Sequence, residues 1–344
     1  MYRVVKGNPE VIESLKGKLL FLFTIGNTLT ANIPGITVAG ANPELIKFTP
    51  PADVELLHYG ECKVIPFPPA TPDGKPTPAL ITYTSLRLTG IPFFVVDAGL
   101  MIKPYTPFLD VKAPIGENIA EKDAMDLKAA KECFNLAKIA GKNLSKLADV
   151  LVIGESIPAG TTTAGAVLKA FGVDSKVSSS MPENPVELKK EVIQKAVSRL
   201  NGNESPLEVV AKVGDPVILV ASAIACGSEK PVIFAGGTQM AAVAHVALKL
   251  GFSGEGVIVT TEYVASDSTA DIASISPLPV VAADPMLGNS SKPGLRAYAD
   301  GFVKEGVGAG AATLIAYKRG IAPEVFLKEI EKDYERVVEN KLQV

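Results

Sequence analysis

The sequence is poor in cysteine and histidine and has no block of like charge, and each shortage removes a class of function. Its three cysteines, Cys62, Cys133 and Cys226, stand far apart in 344 residues. An odd, scattered set makes no disulfide scaffold and points to a reducing compartment. The two histidines, His58 and His245, have no Cys, His, Asp or Glu partner at metal-ligand spacing. Each reads as a surface or core histidine, and neither a zinc centre nor a Ser-His-Asp triad is easily built from them. No run of Lys and Arg stands out, and the formal net charge is −3, so the basic footprint of a nucleic-acid binder is missing. Also missing is a stretch of about 18 uncharged apolar residues, the length that a spanning helix needs. Met1 leads into Arg3, Lys6 and Glu10 with no long apolar core of a secretory signal between them. The expectation is a cytoplasmic protein with small-molecule partners, no bound metal or cofactor, and neither nucleic acid nor membrane as partner.

What is present is a core. Hydrophobic residues make up 47% of the chain, enough to offset the ordering entropy that keeps polar chains disordered. The length suits one large α/β domain or two ordinary ones. Short apolar runs read as buried strands: Leu19–Ile25, Pro92–Val96, Val150–Ile153, Val232–Ala235, Val257–Thr260 and Pro279–Ala282. Helical patterns lie between many of them, at Glu121–Gly141, Thr162–Phe171, Pro185–Leu200, Gln239–Leu250 and Gly308–Tyr317. The alternation predicts an α/β fold, a mostly parallel sheet wrapped by helices in three Rossmann-like layers. Pro66 to Pro78 holds six prolines and reads as an extended loop placed to cover a site. The ends, Asn8–Lys18 and Ala322–Leu342, both read as helical. They are expected to pair as a small helical subdomain, residues 1–17 plus 318–344, beside an α/β domain of residues 18–317.

Three features stand out as places where chemistry could sit. Gly154 to Thr163 (GESIPAGTTT) follows a strand and opens a helix. Its glycines, threonines and helix N-terminus suit a phosphate, although threonine also caps helices with no ligand at all. Glu155, a carboxylate just past a strand end, is poorly explained by packing. Glu305 to Ala312 (EGVGAGAA) mimics a dinucleotide loop, but it lacks the preceding strand and the later acidic residue that such a loop needs. Its glycines either bring backbone close to a ligand faced by Glu305 or form a flexible turn after a solvated glutamate. Third come two serine-rich loops, Ser178-Ser179-Ser180 and Ser290-Ser291, with Lys189 about three turns along the helix after the first. Such loops are usually turns; beside a phosphate loop they become candidate ribose and phosphate contacts.

Taken in order, five stretches resemble the nicotinate-nucleotide–dimethylbenzimidazole phosphoribosyltransferases of cobalamin lower-ligand assembly, in a divergent, archaeal-like form. They are Val95 to Gly99, Gly154 to Thr163, Pro206 to Gly214, Lys230 to Gly237 and Glu305 to Ala309, within roughly residues 95–316. The resemblance implies transfer of 5-phosphoribosyl from nicotinate mononucleotide to a benzimidazole-type base. It further implies Glu305 as catalytic base and Glu155 as a second glutamate at the site. The sugar-phosphate contacts it implies are Gly160, Thr161, Thr162, Ser178, Ser179, Lys189, Ser290, Gly306 and Gly308, and the oligomer a homodimer. The chain departs from the family at Ala235 (Asp in the family), Lys292 (Glu) and Leu295 (His), and at the asparagine of the phosphate loop. Two other readings stay open: a nucleotide-binding sensor without catalysis, and an NAD-dependent oxidoreductase using the glycines at 306–310.

Overall fold

The computed structural model describes residues 1–40, 43–71 and 73–340. Among these, eight strands form one sheet in the order β1-β8-β7-β6-β5-β2-β3-β4. They are β1 (Tyr2–Lys6), β2 (Leu19–Ile25), β3 (Phe93–Asp97), β4 (Leu109–Asp110), β5 (Val150–Ser156), β6 (Val232–Ala235), β7 (Gly256–Thr261) and β8 (Val280–Ala283). Every pairing is parallel except β1 with β8. The helices are α1 (Thr49–Tyr59), α2 (Ala79–Thr89), α3 (Leu127–Leu144), α4 (Gly160–Ala170), α5 (Val186–Val197), α6 (Pro206–Val213) and α7 (Pro216–Gly227). They continue with α8 (Gln239–Lys249), α9 (Glu262–Ala265), α10 (Ile272–Ile275), α11 (Pro293–Arg296), α12 (Ala309–Lys318) and α13 (Pro323–Tyr334).

The continuous apolar runs arise because both faces of the sheet are covered. In β2, Leu20 and Leu22 point into a cluster shared with α3 to α8. Phe21, Phe23 and Ile25 point the other way, into a cluster shared with α1, α2, α12 and α13. The expected three-layer α/β fold is therefore the observed one. Leu22 is fully buried, so Leu22→Ala should cost about 2–5 kcal/mol.

Several boundaries differ from expectation for identifiable reasons. β5 runs through Ser156 rather than stopping at Ile153, because β2 holds it in register from Leu19 opposite Val150 to Ile25 opposite Ser156. Glu155 is thus the penultimate residue of a strand. α3 begins at Leu127 because Asp126 caps it, accepting from Ala129 N at 2.9 Å. α7 has no readable period because it is apolar on nearly every face and packed between α3 and α8.

The terminal segments do not form the expected helical pair. Tyr2–Lys6 is an edge strand on β8, and Glu10–Lys16 is a 3-10 turn. That turn rests on α12 and β7, whereas α13 packs on α2. Val11, Leu15, Phe326 and Ile330 all belong to the same apolar layer as the sheet. The last two residues of the helix expected over Ala322–Leu342, and Pro72 of the proline loop, lie outside the described residues.

Strand order reverses beside β2: the chain lays β3 and β4 on one side, then crosses back to lay β5 to β8 on the other. In open α/β sheets the crevice outside the strand carboxyl ends at such a reversal is where ligands bind.

Candidate active site

A cavity of about 250 Å³ opens at this reversal. One side is built from strand ends and the loops after them: Glu155 to Thr161, Ser178 to Ser180, Gln239, and Lys304 to Val307. The other side is largely apolar, from the start of α1 (Phe48, Ala52) and the proline loop (Phe67 to Ala70, Pro76). The proline loop thus covers the site as expected. It folds back as a narrow turn, with Thr71 N bonded to Lys75 O at 2.9 Å and Ala70 bridged to Pro76.

Two glutamates meet in this cavity. Glu305 arrives on the turn before α12 and is half-buried. Its carboxylate accepts from Thr261 N at 2.7 Å and from Gly306 N and Gly310 N at 3.2 Å. Burial raises its pKa to about 7 against those N–H bonds, which pull it down. Glu155 is buried, and Val307 N bonds its backbone carbonyl at 2.8 Å, tying the two glutamate segments together. Burial first, and then the charges of Glu305, Asp215 and Asp53, raise the Glu155 carboxyl to about 8. Both carboxyls are thus raised from the usual carboxylate range toward neutral pH, and they titrate there as a coupled pair.

A few residues along the wall the chemistry changes sign. The N-terminus of α4 reaches the cavity at Gly160 and Thr161, which favours a negative ligand. Behind it, Lys189 Nζ stands 3.0 Å from Thr161 Oγ1 and 2.6 Å from Ser178 O, with its side chain buried. Burial, helped by the Lys304 charge and opposed by Asp267, lowers the Lys189 amine to about 7. At Gly160 the end of the Gln239 side chain comes so close that a Cβ would lie 2.2 Å from its Oε1, so a larger residue there would have to displace Gln239 from the cavity wall.

Most expected site residues meet here. Glu155, Gly160, Thr161, Ser178, Ser179, Glu305 and Gly306 line the cavity, and Lys189 backs it. Thr162 is one position behind the wall, fully buried in α4. Gly308 also stands behind it, as the left-handed residue before α12 (φ +70°), packed against Ala235. Ser290 is a correction: it is not a cavity residue, because its hydroxyl donates to Glu331 at 2.7 Å and accepts from Lys292 N at 3.0 Å, fixing its loop to α13. His58 packs on the Phe93 ring and His245 bonds Ile275 O, neither of them in the cavity wall.

The glycines at 306–310 lack the setting of a dinucleotide-binding loop. Among the described residues no strand leads directly into them, and Gly310 is pressed on β7, where a Cβ would lie 2.1 Å from the Thr260 carbonyl carbon. They seat α12 on the sheet and aim two N–H groups at Glu305.

Two groups at the site escape the sequence reading. Asp53 on α1 is buried against the cavity, accepting from Ser156 Oγ and Thr77 Oγ1, both at 2.6 Å. Burial raises it to about 6 against these two bonds. Lys304 is buried beside Glu305, 3.0 Å from Asp267. Its place next to Glu305 is a usable signal; Asp53, in a helix whose apolar residues show no clear face, offers none.

A family model described as phosphoribosyltransferase matches residues 86–276, more than half of the chain. The chain belongs to this family. The match takes in Glu155 and Lys189 and ends before Glu305. A UPF0284 protein of Archaeoglobus fulgidus is 64% identical over 336 residues, covering 98% of this chain and 99% of its own. One of Sulfurisphaera tokodaii is 41% identical, covering 98% and 99%. Among solved structures, CobT from Thermus thermophilus aligns with a TM-score of 0.61 at 17% identity, covering 92% of this chain and 87% of its own. A nicotinate-nucleotide–dimethylbenzimidazole phosphoribosyltransferase of the same organism aligns at 0.56, covering 95% and 86%. At that identity the likeness is one of fold. The family makes this protein a phosphoribosyltransferase.

Proposed function

We propose that the protein moves the 5-phosphoribosyl group of nicotinate mononucleotide to a ring nitrogen of a benzimidazole-type base, giving the α-linked ribotide of a cobamide lower ligand. The observation that carries this reading is the two-ended cavity, with the carboxyls Glu155 and Glu305 at one place and a phosphate-compatible wall of Gly160, Thr161 and Ser178 backed by Lys189 close by.

The chemistry fits such a layout. The donor's glycosidic bond to nicotinate breaks, and its electron pair goes to the pyridinium nitrogen, already a good leaving group. The acceptor's free ring nitrogen forms the new bond to the sugar carbon, and the acceptor then loses its N–H proton. Glu305, near its midpoint at neutral pH, takes that proton, and its negative charge favours the positive sugar. Such assistance is worth about 10²–10⁴-fold. Glu155, protonated, offers a hydrogen bond that fixes a substrate oxygen. Thr161, Ser178 and Ser179 take the phosphate, with Ser178 and Ser179 also within reach of the ribose. The apolar wall of Phe48, Ala52 and Pro69 takes the face of the acceptor ring.

Incubation with nicotinate mononucleotide and a panel of bases, read by chromatography and mass, tests the reading. A ribotide with one of the bases supports it and names the acceptor. Binding of the mononucleotide with no product would leave a nucleotide sensor instead. The family resemblance also supports a cytoplasmic homodimer. Light scattering should give twice the 36.0 kDa of the chain, and a mass of one chain would refute the dimer.

A further inference from the structure

From Val303 to Gly308 the backbone is unusual. Val303 (φ +61°), Lys304 (+57°), Val307 (+52°) and Gly308 (+70°) are left-handed, and Gly306 stands at +150°. Glu305 alone in this stretch keeps an ordinary φ. Left-handed valine is a costly conformation that persists only where the surroundings over-determine it. Here they do: Thr261 Oγ1 holds Lys304 O at 2.6 Å, Thr82 Oγ1 holds Val307 O at 2.8 Å, and Val307 N holds Glu155 O at 2.8 Å.

The second part of the device is the serine turn of the cavity wall. Lys304 Nζ donates to Ser179 O at 3.0 Å and Met181 O at 3.1 Å, and pairs with Asp267 at 3.0 Å. Val303 N donates to Ser180 O at 2.8 Å, and Lys189 Nζ to Ser178 O at 2.6 Å. Four consecutive carbonyls of the turn are therefore held, three of them by Lys304 and its neighbour Val303. One buried lysine thus joins the wall expected to take the phosphate to the strained turn that aims Glu305.

We propose that Lys304 is a positioning residue through which the donor's phosphate, bound on the serine turn, sets the aim of Glu305. This inference rests on the phosphoribosyl-transfer reading above. A ligand that presses on the serine turn presses on the bonds to Lys304 and Val303, and the carboxylate lies one residue further on. Binding energy from a part of the substrate that does not react is then spent at the reacting centre. The phosphate should accordingly raise kcat and not merely lower KM.

The experiment compares nicotinate mononucleotide with its dephosphorylated nucleoside as donor, in the wild type and in Lys304→Met and Asp267→Asn. In the wild type, kcat with the nucleotide should exceed that with the nucleoside by about tenfold or more, the pattern of an interaction spent in the transition state. Lys304→Met should bring the two kcat values to within about twofold while leaving the nucleotide KM nearly unchanged. Asp267→Asn, which frees the amine from its counter-ion but keeps both carbonyl bonds, should fall between, and it decides the matter if Lys304→Met does not fold. A merely structural lysine would lower both donors alike and preserve their ratio, and that result overturns the inference, as does a wild-type ratio near one. No ribotide from the wild type with any base overturns the phosphoribosyl reading and this inference together. Ribotide formation with an unchanged ratio in the variants overturns this inference alone.

Discussion

Replacing Glu155 with glutamine should stabilise the ligand-free protein, by an amount that grows as pH rises from about 5 to 8. The carboxyl is buried beside three other acidic groups, and its pKa in the folded state is about 8 instead of 4.5. The folded state therefore binds more protons than the unfolded chain between those values. Stability contributed by this group is greatest below 4.5, falls as pH rises through the window, and is fully lost above 8. Three to four pKa units amount to about 4–5 kcal/mol. Part of the shift comes from Glu305, which titrates in the same range, so about 3–5 kcal/mol is a reasonable expectation. Glutamine has the same shape, can still accept from Ile157 N, and never carries the charge. For 344 residues each kcal/mol moves Tm by roughly 1–2 °C, so Glu155→Gln should melt about 3–10 °C above the wild type at pH 9. Near pH 5 the two curves should converge. Calorimetry at both pH values is the assay. An equal difference at both, or a less stable variant at pH 9, would refute the burial argument.

Glu305→Gln should keep the fold and the affinity for nicotinate mononucleotide while lowering kcat about 10²–10⁴-fold, measured by nicotinate release beside calorimetric binding. Lys189→Met removes the charge behind Thr161 and should raise the dissociation constant of the mononucleotide roughly 10–100-fold, the scale of one charge-assisted hydrogen bond; an unchanged constant would put the phosphate elsewhere. In the wild type, kcat/KM should rise with pH as Glu305 loses its proton near 7 and fall again as Glu155 loses its own near 8. These are apparent values of a coupled pair. Glu155→Gln should remove the alkaline limb and retain the acid one.

How far the sequence reveals this protein depends on what kind of signal each element leaves. Strands covered on both faces leave short apolar runs, and β2 and β6 are bounded to the residue for that reason. α1, α2 and α7 are not readable, because helices buried on most sides show no polar face to mark a period. The edge strand β1 holds Arg3 and Lys6 and is mostly exposed, so its composition resembles a loop and only its pairing to β8 makes it a strand. At the site, Glu155, Gly160, Ser178 and Glu305 stand in motifs with local signatures, and they do line one cavity. Ser290 misleads because a serine loop looks the same whether its hydroxyls face a ligand or, as here, Glu331. Asp53 acts through long-range geometry, a helix docked over a strand end, which residue spacing does not encode; for Lys304 the sequence holds only its place beside Glu305, and the left-handed backbone that turns it to the serine loop is not readable.

The central claim is transfer, and its most direct test is stoichiometry. Nicotinate released from nicotinate mononucleotide should be measured with and without an acceptor base, alongside the ribotide formed. The account predicts one ribotide for each nicotinate and negligible release when the base is left out. Release that is independent of the base would mean hydrolysis, and no release with any base would contradict the proposed reaction outright.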